Sequence, residues 1–168
     1  MTSEHNQRGV LFVCLGNICR SPLAEGVFLD LLNKRRALER FDVDSCGTGA
    51  WHVGQTPDQR SQEVALAHGV TLTSRARTLD PLIDFERFDL IVPMDRQNKI
   101  DLLDAGAPPE QVRLLRSYDP ALRAADESQL DVPDPYWDEE EGFEAMHRMI
   151  HAACQGMIHE LLGDTNDA

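Results

Sequence analysis

Cysteine is scarce in this chain: Cys14, Cys19, Cys46 and Cys154 are all there are among 168 residues. Four is too few for a disulfide scaffold at this length, and their spacing is not that of a zinc ribbon, so reduced thiols and a cytoplasmic location are the expectation. Apolar runs are short too. None approaches the roughly 20 residues that cross a bilayer, and no charged-then-apolar leader opens the chain, so membrane insertion is not expected. Positive charge is in deficit: 16 Lys and Arg against 29 Asp and Glu leave a net charge of −13, which argues against nucleic acid or an anionic membrane as partner. Any anion bound here must be held by local geometry at short range. No repeat or low-complexity linker divides the sequence, and the length suits one domain with a full core. That domain is expected over residues 10–162, between a polar tail at 1–9 and a short one at 163–168, in a monomer or weak dimer.

What is present is concentrated in Val10-Leu11-Phe12-Val13-Cys14-Leu15-Gly16-Asn17-Ile18-Cys19-Arg20-Ser21-Pro22. A cysteine and an arginine stand six positions apart, between an apolar run and a helix start. Four apolar residues before a turn signal read as a buried strand, and Ser21 followed by Pro22 reads as an N-cap and first helical residue. In such a strand-to-helix loop, backbone N–H groups and the positive helix end form a concavity for an oxyanion. Gly16 is expected to allow the bend. Arg20 adds a planar fork that matches two phosphate oxygens. Positive surroundings of this kind favour a thiolate, which makes Cys14 the expected nucleophile. An isolated cysteine at a strand end is more often a core residue; its company sets Cys14 apart.

The string CLGNICRSP, read with Asp134-Pro135-Tyr136 far downstream, resembles the low-molecular-weight protein tyrosine phosphatases, from about Val10 to about Leu162. The resemblance implies a metal-independent hydrolase, without cofactor, that removes phosphate from phosphotyrosine in a partner protein. Cys14 would attack phosphorus, Arg20 would bind the phosphoryl oxygens, Ser21 would donate to the thiolate, and Asp134 would be the general acid. Asn17 would shape the loop, and Gly16, Ile18 and Cys19 would line it. Leu15, Trp51, Tyr136 and Trp137 are expected to form an apolar slot for an aryl ring, although Trp51 and Tyr136 also suit a core. Asp134 from its spacing alone reads as an ordinary loop carboxylate; the resemblance is what singles it out. Many relatives place a histidine ahead of an alanine-arginine pair to support the loop asparagine. Here the segment is Thr73-Ser74-Arg75-Ala76-Arg77, so Ser74 is expected to give that support more weakly, with Ser45 a second supporting residue.

Strands and helices alternate along the chain. Strands are expected at 10–13, 41–46, 88–92 and 112–115. Helices are expected at 22–36, after a capping box at 56–59 closed by Gly69, at 95–105, and in a long C-terminal segment carrying Phe143, Met146, Ile150, Met157 and Leu161. Only 122–133 looks irregular, and it delivers Asp134. The implied fold is α/β, a single-domain three-layer sandwich with a four-stranded parallel sheet covered by helices on both faces. Ligands then sit beyond the carboxyl ends of the strands, where Cys14 lies.

Other features are given plainer readings. His147 and His151 have helical metal-ligand spacing but no third ligand pattern, and are taken as surface polar residues. The acids at 138–141 suit a helix start. Cys14 and Cys19 share one curled loop and would form a redox pair if their Cα atoms lie about 4.4–6.8 Å apart; otherwise Cys19 is a packed loop residue. Three rivals remain. Arsenate reductases need further redox cysteines, and 80–115 contains none. Protein-arginine phosphatases have threonine where Ile18 stands. A noncatalytic phosphotyrosine-binding module is expected to lack the nucleophile or the acid.

Overall fold

Residues 10–13 are apolar at consecutive positions, as befits a strand covered on both sides. In the computed structural model, which describes residues 7–163, they sit in the middle strand of the sheet. That strand, β1 (Arg8–Cys14), pairs in parallel with β2 (Phe41–Gly47) and β3 (Leu90–Pro93), in the order β2-β1-β3. Successive side chains of β1 alternate between two cores. Val10, Phe12 and Cys14 face α1 (Arg20–Lys34), α2 (Gln59–Ala67) and α5 (Glu140–Leu162). Leu11 and Val13 face a smaller cluster with Phe85 of α3 (Pro81–Arg87) and Leu102 of α4 (Arg96–Asp104). The chain leaves β1 towards β2 on one side and later returns to β3 on the other. The carboxyl end of β1 is therefore the point where the topology reverses, which is where open α/β sheets bind ligands.

Several expectations need correction. The fourth strand at 112–115 contracts to a single bridge between Val112 and Ile91, with Arg113 N–H donating to the Ile91 carbonyl at 3.0 Å. Leu115–Tyr118 then turns as a 3₁₀ helix, and buries Leu115 and Tyr118 under α5 instead of extending the sheet. A Cβ at Gly156 would meet the Tyr118 carbonyl at 1.9 Å, so α5 packs directly on that turn. The tail expected at 1–9 ends earlier: Arg8 and Gly9 already pair with Phe41 and Asp42. Residues 1–6 and 164–168 of the two tails lie outside the described residues. Helix α2 is capped by Asp58, whose carboxylate accepts the Arg60 N–H at 2.9 Å, and not by Thr56. Helix α3 has no counterpart among the expected elements, although Asp80 caps it and Pro81 opens it. His147 is buried, stacked on His68 at 3.7 Å between centroids, so the surface reading fails. Among the described residues no group of three His, Cys, Asp or Glu is placed to hold a metal ion.

Candidate active site

Helix α1 begins at Arg20 with Cys19 at its N-cap and no side-chain cap. The Ser21 hydroxyl, expected to cap that helix, is used elsewhere. It lies 3.0 Å from Cys14 Sγ and accepts from Asn17 Nδ2 at 2.8 Å. Because the amide occupies the hydroxyl as acceptor, its proton is free to donate to sulfur. The Asn17 N–H donates to the same sulfur at 3.3 Å.

Asn17 is the keystone of the loop. It is buried with φ of 57°, a left-handed conformation that asparagine tolerates better than most residues. Its Nδ2 also donates to Ser45 Oγ at 3.0 Å, and its Oδ1 accepts the Arg77 N–H at 3.0 Å. The Ser45 hydroxyl in turn donates to Glu25 Oε1. Burial pushes the Glu25 carboxyl up to about 7, and Asp44 adds to the rise. Ser45 thus bonds the loop asparagine. Ser74 does not: among the described residues it makes no bond to Asn17, and the Arg77 backbone bonds the Asn17 carbonyl oxygen directly. Gly16 also has a different reason to be glycine. The left-handed turn falls at Asn17, whereas a Cβ on Gly16 would meet His52 Cδ2 at 2.9 Å. Gly47 was missed by the sequence reading; its Cβ would strike the Leu15 carbonyl at 2.7 Å.

Arg20 is buried and clamped. Its Nη1 donates to Asp95 Oδ2 at 2.6 Å and to the Val132 carbonyl at 3.0 Å. This leaves Nη2 facing the cavity, 3.6 Å from Asp134 Oδ2. Asp95 caps α4 and also aims Arg20, a task the sequence did not disclose. Asp134 Oδ1 accepts the Tyr136 N–H at 3.1 Å, a turn that presents the other oxygen to the guanidinium.

These groups open into one cavity of about 410 Å³, lined by Cys14, Leu15, Gly16, Ile18, Cys19, Arg20, Trp51, His52, Asp134, Tyr136 and Trp137. All four expected wall residues are among them. Trp51 and Trp137 are 71% and 90% exposed, which removes the core reading for Trp51; Tyr136 is a rim residue as well. His52 is an addition, with its ring 6.4 Å from that of Tyr136 and its Nδ1 3.0 Å from Gln55 Oε1. Cys14 and Cys19 are both free thiols, and burial pushes Cys19 up to about 12, with Asp58 adding to it.

Residues 9–166 match the family model described as low molecular weight phosphotyrosine protein phosphatase. The chain belongs to that family. Among relatives of this phosphatase, a low molecular weight protein-tyrosine-phosphatase of Streptomyces coelicolor is 43% identical over 89% of this chain and 90% of its own. A crystal structure of the protein tyrosine phosphatase from Entamoeba histolytica, with Hepes in the active site, superposes with a TM-score of 0.85 at 33% identity, over 93% of this chain and 97% of that one. The structure of DARP, a drosophila arginine phosphatase, superposes at 0.82 with 32% identity, over 92% and 98%.

Proposed function

We propose that this phosphatase hydrolyses phosphotyrosine in proteins through a cysteinyl-phosphate on Cys14, with Arg20 binding the phosphoryl group and Asp134 moving the proton. One observation carries this reading: Cys14, Arg20 and Asp134 converge on a single cavity walled by Leu15, Trp51, Tyr136 and Trp137. The Cys14 sulfur attacks phosphorus as the bond to the phenolic oxygen breaks. Charge on the equatorial oxygens is met by the loop N–H groups and Arg20 Nη2. The departing oxygen takes a proton from Asp134. The resulting carboxylate then removes a proton from water, whose oxygen displaces sulfur and releases phosphate. Loop amides and Arg20 neutralise the charge, so no step calls on a metal or cofactor.

The exposed aromatic rim supports a flat aryl substrate presented on another protein. The net charge of −13 weighs against nucleic acid. No helix among the described residues is long and apolar enough to cross a membrane, and the four unpaired thiols suit the cytoplasm. A domain over 10–162, acting as monomer or weak dimer, completes the proposal. Phosphoarginine is the second reading, favoured by the likeness to the drosophila arginine phosphatase and opposed by Ile18 in place of threonine.

The test is Asp134→Asn. Turnover of a phosphotyrosine peptide should fall by about 10² to 10⁴, the usual worth of a general acid, and turnover of 4-nitrophenyl phosphate, whose leaving group departs unaided, should fall less. Equal losses on the two esters would assign Asp134 a structural role instead.

A further inference from the structure

The first turn of α2 lies between the two loops that carry the chemistry. On one side the Asp58 N–H donates to the Ile18 carbonyl at 2.8 Å, and Ser61 Oγ donates to the Cys19 carbonyl at 3.3 Å. The nucleophile loop is fastened to the helix there. On the other side Arg60 reaches the segment that bears the acid. Its Nη2 donates to the Tyr136 carbonyl at 3.0 Å and its Nη1 to the Asp138 carbonyl at 3.1 Å. Asp58 grips the remaining edge of the guanidinium, from Nε at 3.0 Å and from Nη2 at 2.9 Å. The flat face of the group lies over Phe143, with Cζ 4.5 Å from the ring centroid.

Segment 134–138 packs through buried Pro135 but has few other hydrogen bonds. Its other hydrogen bonds, Tyr136 N–H to Asp134 Oδ1 and Asp138 N–H to the Pro135 carbonyl, are internal. Among the described residues the two Arg60 bonds are the only hydrogen bonds that tie it to the rest of the protein. The Asp134 contact with Arg20, at 3.6 Å, is an ion pair and not a hydrogen bond.

The geometry points to Arg60 as the positioning residue for proton transfer, one that ties the acid segment to the nucleophile loop through Asp58. Arg60 touches neither substrate nor the reacting atoms. It acts by fixing the carbonyls of Tyr136 and Asp138, on either side of Trp137, and so the height and angle of Asp134 over the cavity. A misplacement of about 1 Å at a reacting group costs on the order of a hundredfold in rate, so a loosened segment is felt in the step that needs the proton. Lysine is a poor replacement. A compact ammonium cannot lie flat on Phe143 while serving two carbonyls and a bidentate carboxylate.

This inference rests on Asp134 being the proton donor, and the experiment separates the two. Parent, Arg60→Ala, Arg60→Lys, Asp134→Asn and the Arg60→Ala/Asp134→Asn double variant are compared on a phosphotyrosine peptide and on 4-nitrophenyl phosphate. Arg60→Ala should lower kcat on the peptide by about ten- to a hundredfold and on the nitrophenyl ester by much less, with Arg60→Lys in between. Inhibition by inorganic phosphate should be unchanged, because the anion cradle is untouched. In the Asp134→Asn background Arg60→Ala should cost nothing more on the peptide, since two residues acting through one step are not additive. Unaltered kcat in Arg60→Ala, equal losses on both esters, or the same loss in both backgrounds would overturn the role of Arg60. If Asp134→Asn alone shows no leaving-group dependence, the proton-donor assignment fails first, and the inference falls with it.

Discussion

Asn17 uses every polar side-chain atom and its own N–H to hold Cys14, Ser21, Ser45 and Arg77 in one arrangement. A buried network of this kind is worth most when fully satisfied, and its neighbour Ile18 is where specificity is expected to lie. Ile18 is almost fully buried, lines the cavity, and is held through its carbonyl by Asp58. Ile18→Thr removes apolar bulk beside the phosphoryl group and should raise the ratio of kcat/KM for phosphoarginine over phosphotyrosine, by up to about 1–3 kcal/mol, the usual value of such shape discrimination. Steady-state kinetics on the two phosphopeptides checks this. An unchanged ratio would place specificity in the rim, with His52 the first residue to vary. The sequence made Cys14, Arg20 and Asn17 legible because they fall within one short string. It hid Asp95, His52, Gly47 and Arg60, which reach the site from separate elements through tertiary packing that no local spacing encodes.

At the scale of elements, β1, β2, β3, α1, α4 and α5 were readable because the apolar pattern of each matches the face it buries. The rest misled for identifiable reasons. Val112 begins like a strand, but Leu115 and Tyr118 gain more by burial under α5 than by further pairing. Thr56 and Asp58 both suit a cap, and the one whose carboxylate can also hold the Arg60 side chain occupies the position. Asp80-Pro81 carried a cap and a helix-opening proline, yet the helix that follows is only seven residues long and leaves Leu82 and Ile83 exposed.

The curled loop ahead of α1 also carries the two free thiols expected to act as a redox pair. Peroxide should convert Cys14 to a form that Cys19 captures as a disulfide, so that dithiothreitol restores activity in the parent and restores little in Cys19→Ser. Since Cys19 is held protonated by burial and capture needs its thiolate, protection should strengthen as pH rises. Activity recovery and mass spectrometry of the Cys14–Cys19 link read this out; equal recovery in both proteins would refute it.

For the whole molecule, buried His147 and half-buried Glu25 tilt stability with pH in opposite directions. Burial, helped by neighbouring His68 and His151, lowers His147 from 6.5 to about 4. Its folded state prefers the neutral ring, so its contribution is present above about 6.5 and is lost as pH falls towards 4. Glu25 is raised from 4.5 to about 7; its contribution is present below 4.5 and fades as pH rises through 7. Melting temperature followed from pH 4 to pH 8 should therefore lose part of its fall below about pH 6.5 in His147→Gln, and part of the loss that sets in as pH rises from 4.5 to 7 in Glu25→Gln. Unaltered slopes in both variants would show that neither group is perturbed in the folded protein.

The kinetic outcomes all depend on Cys14 being the group that attacks phosphorus, and Cys14→Ser tests that most directly. A serine hydroxyl is not ionised at neutral pH, while the loop amides and Arg20 remain in place. Turnover of a phosphotyrosine peptide should therefore vanish while inorganic phosphate still binds in a calorimetric titration. Hydrolysis within about tenfold of the parent would contradict the account.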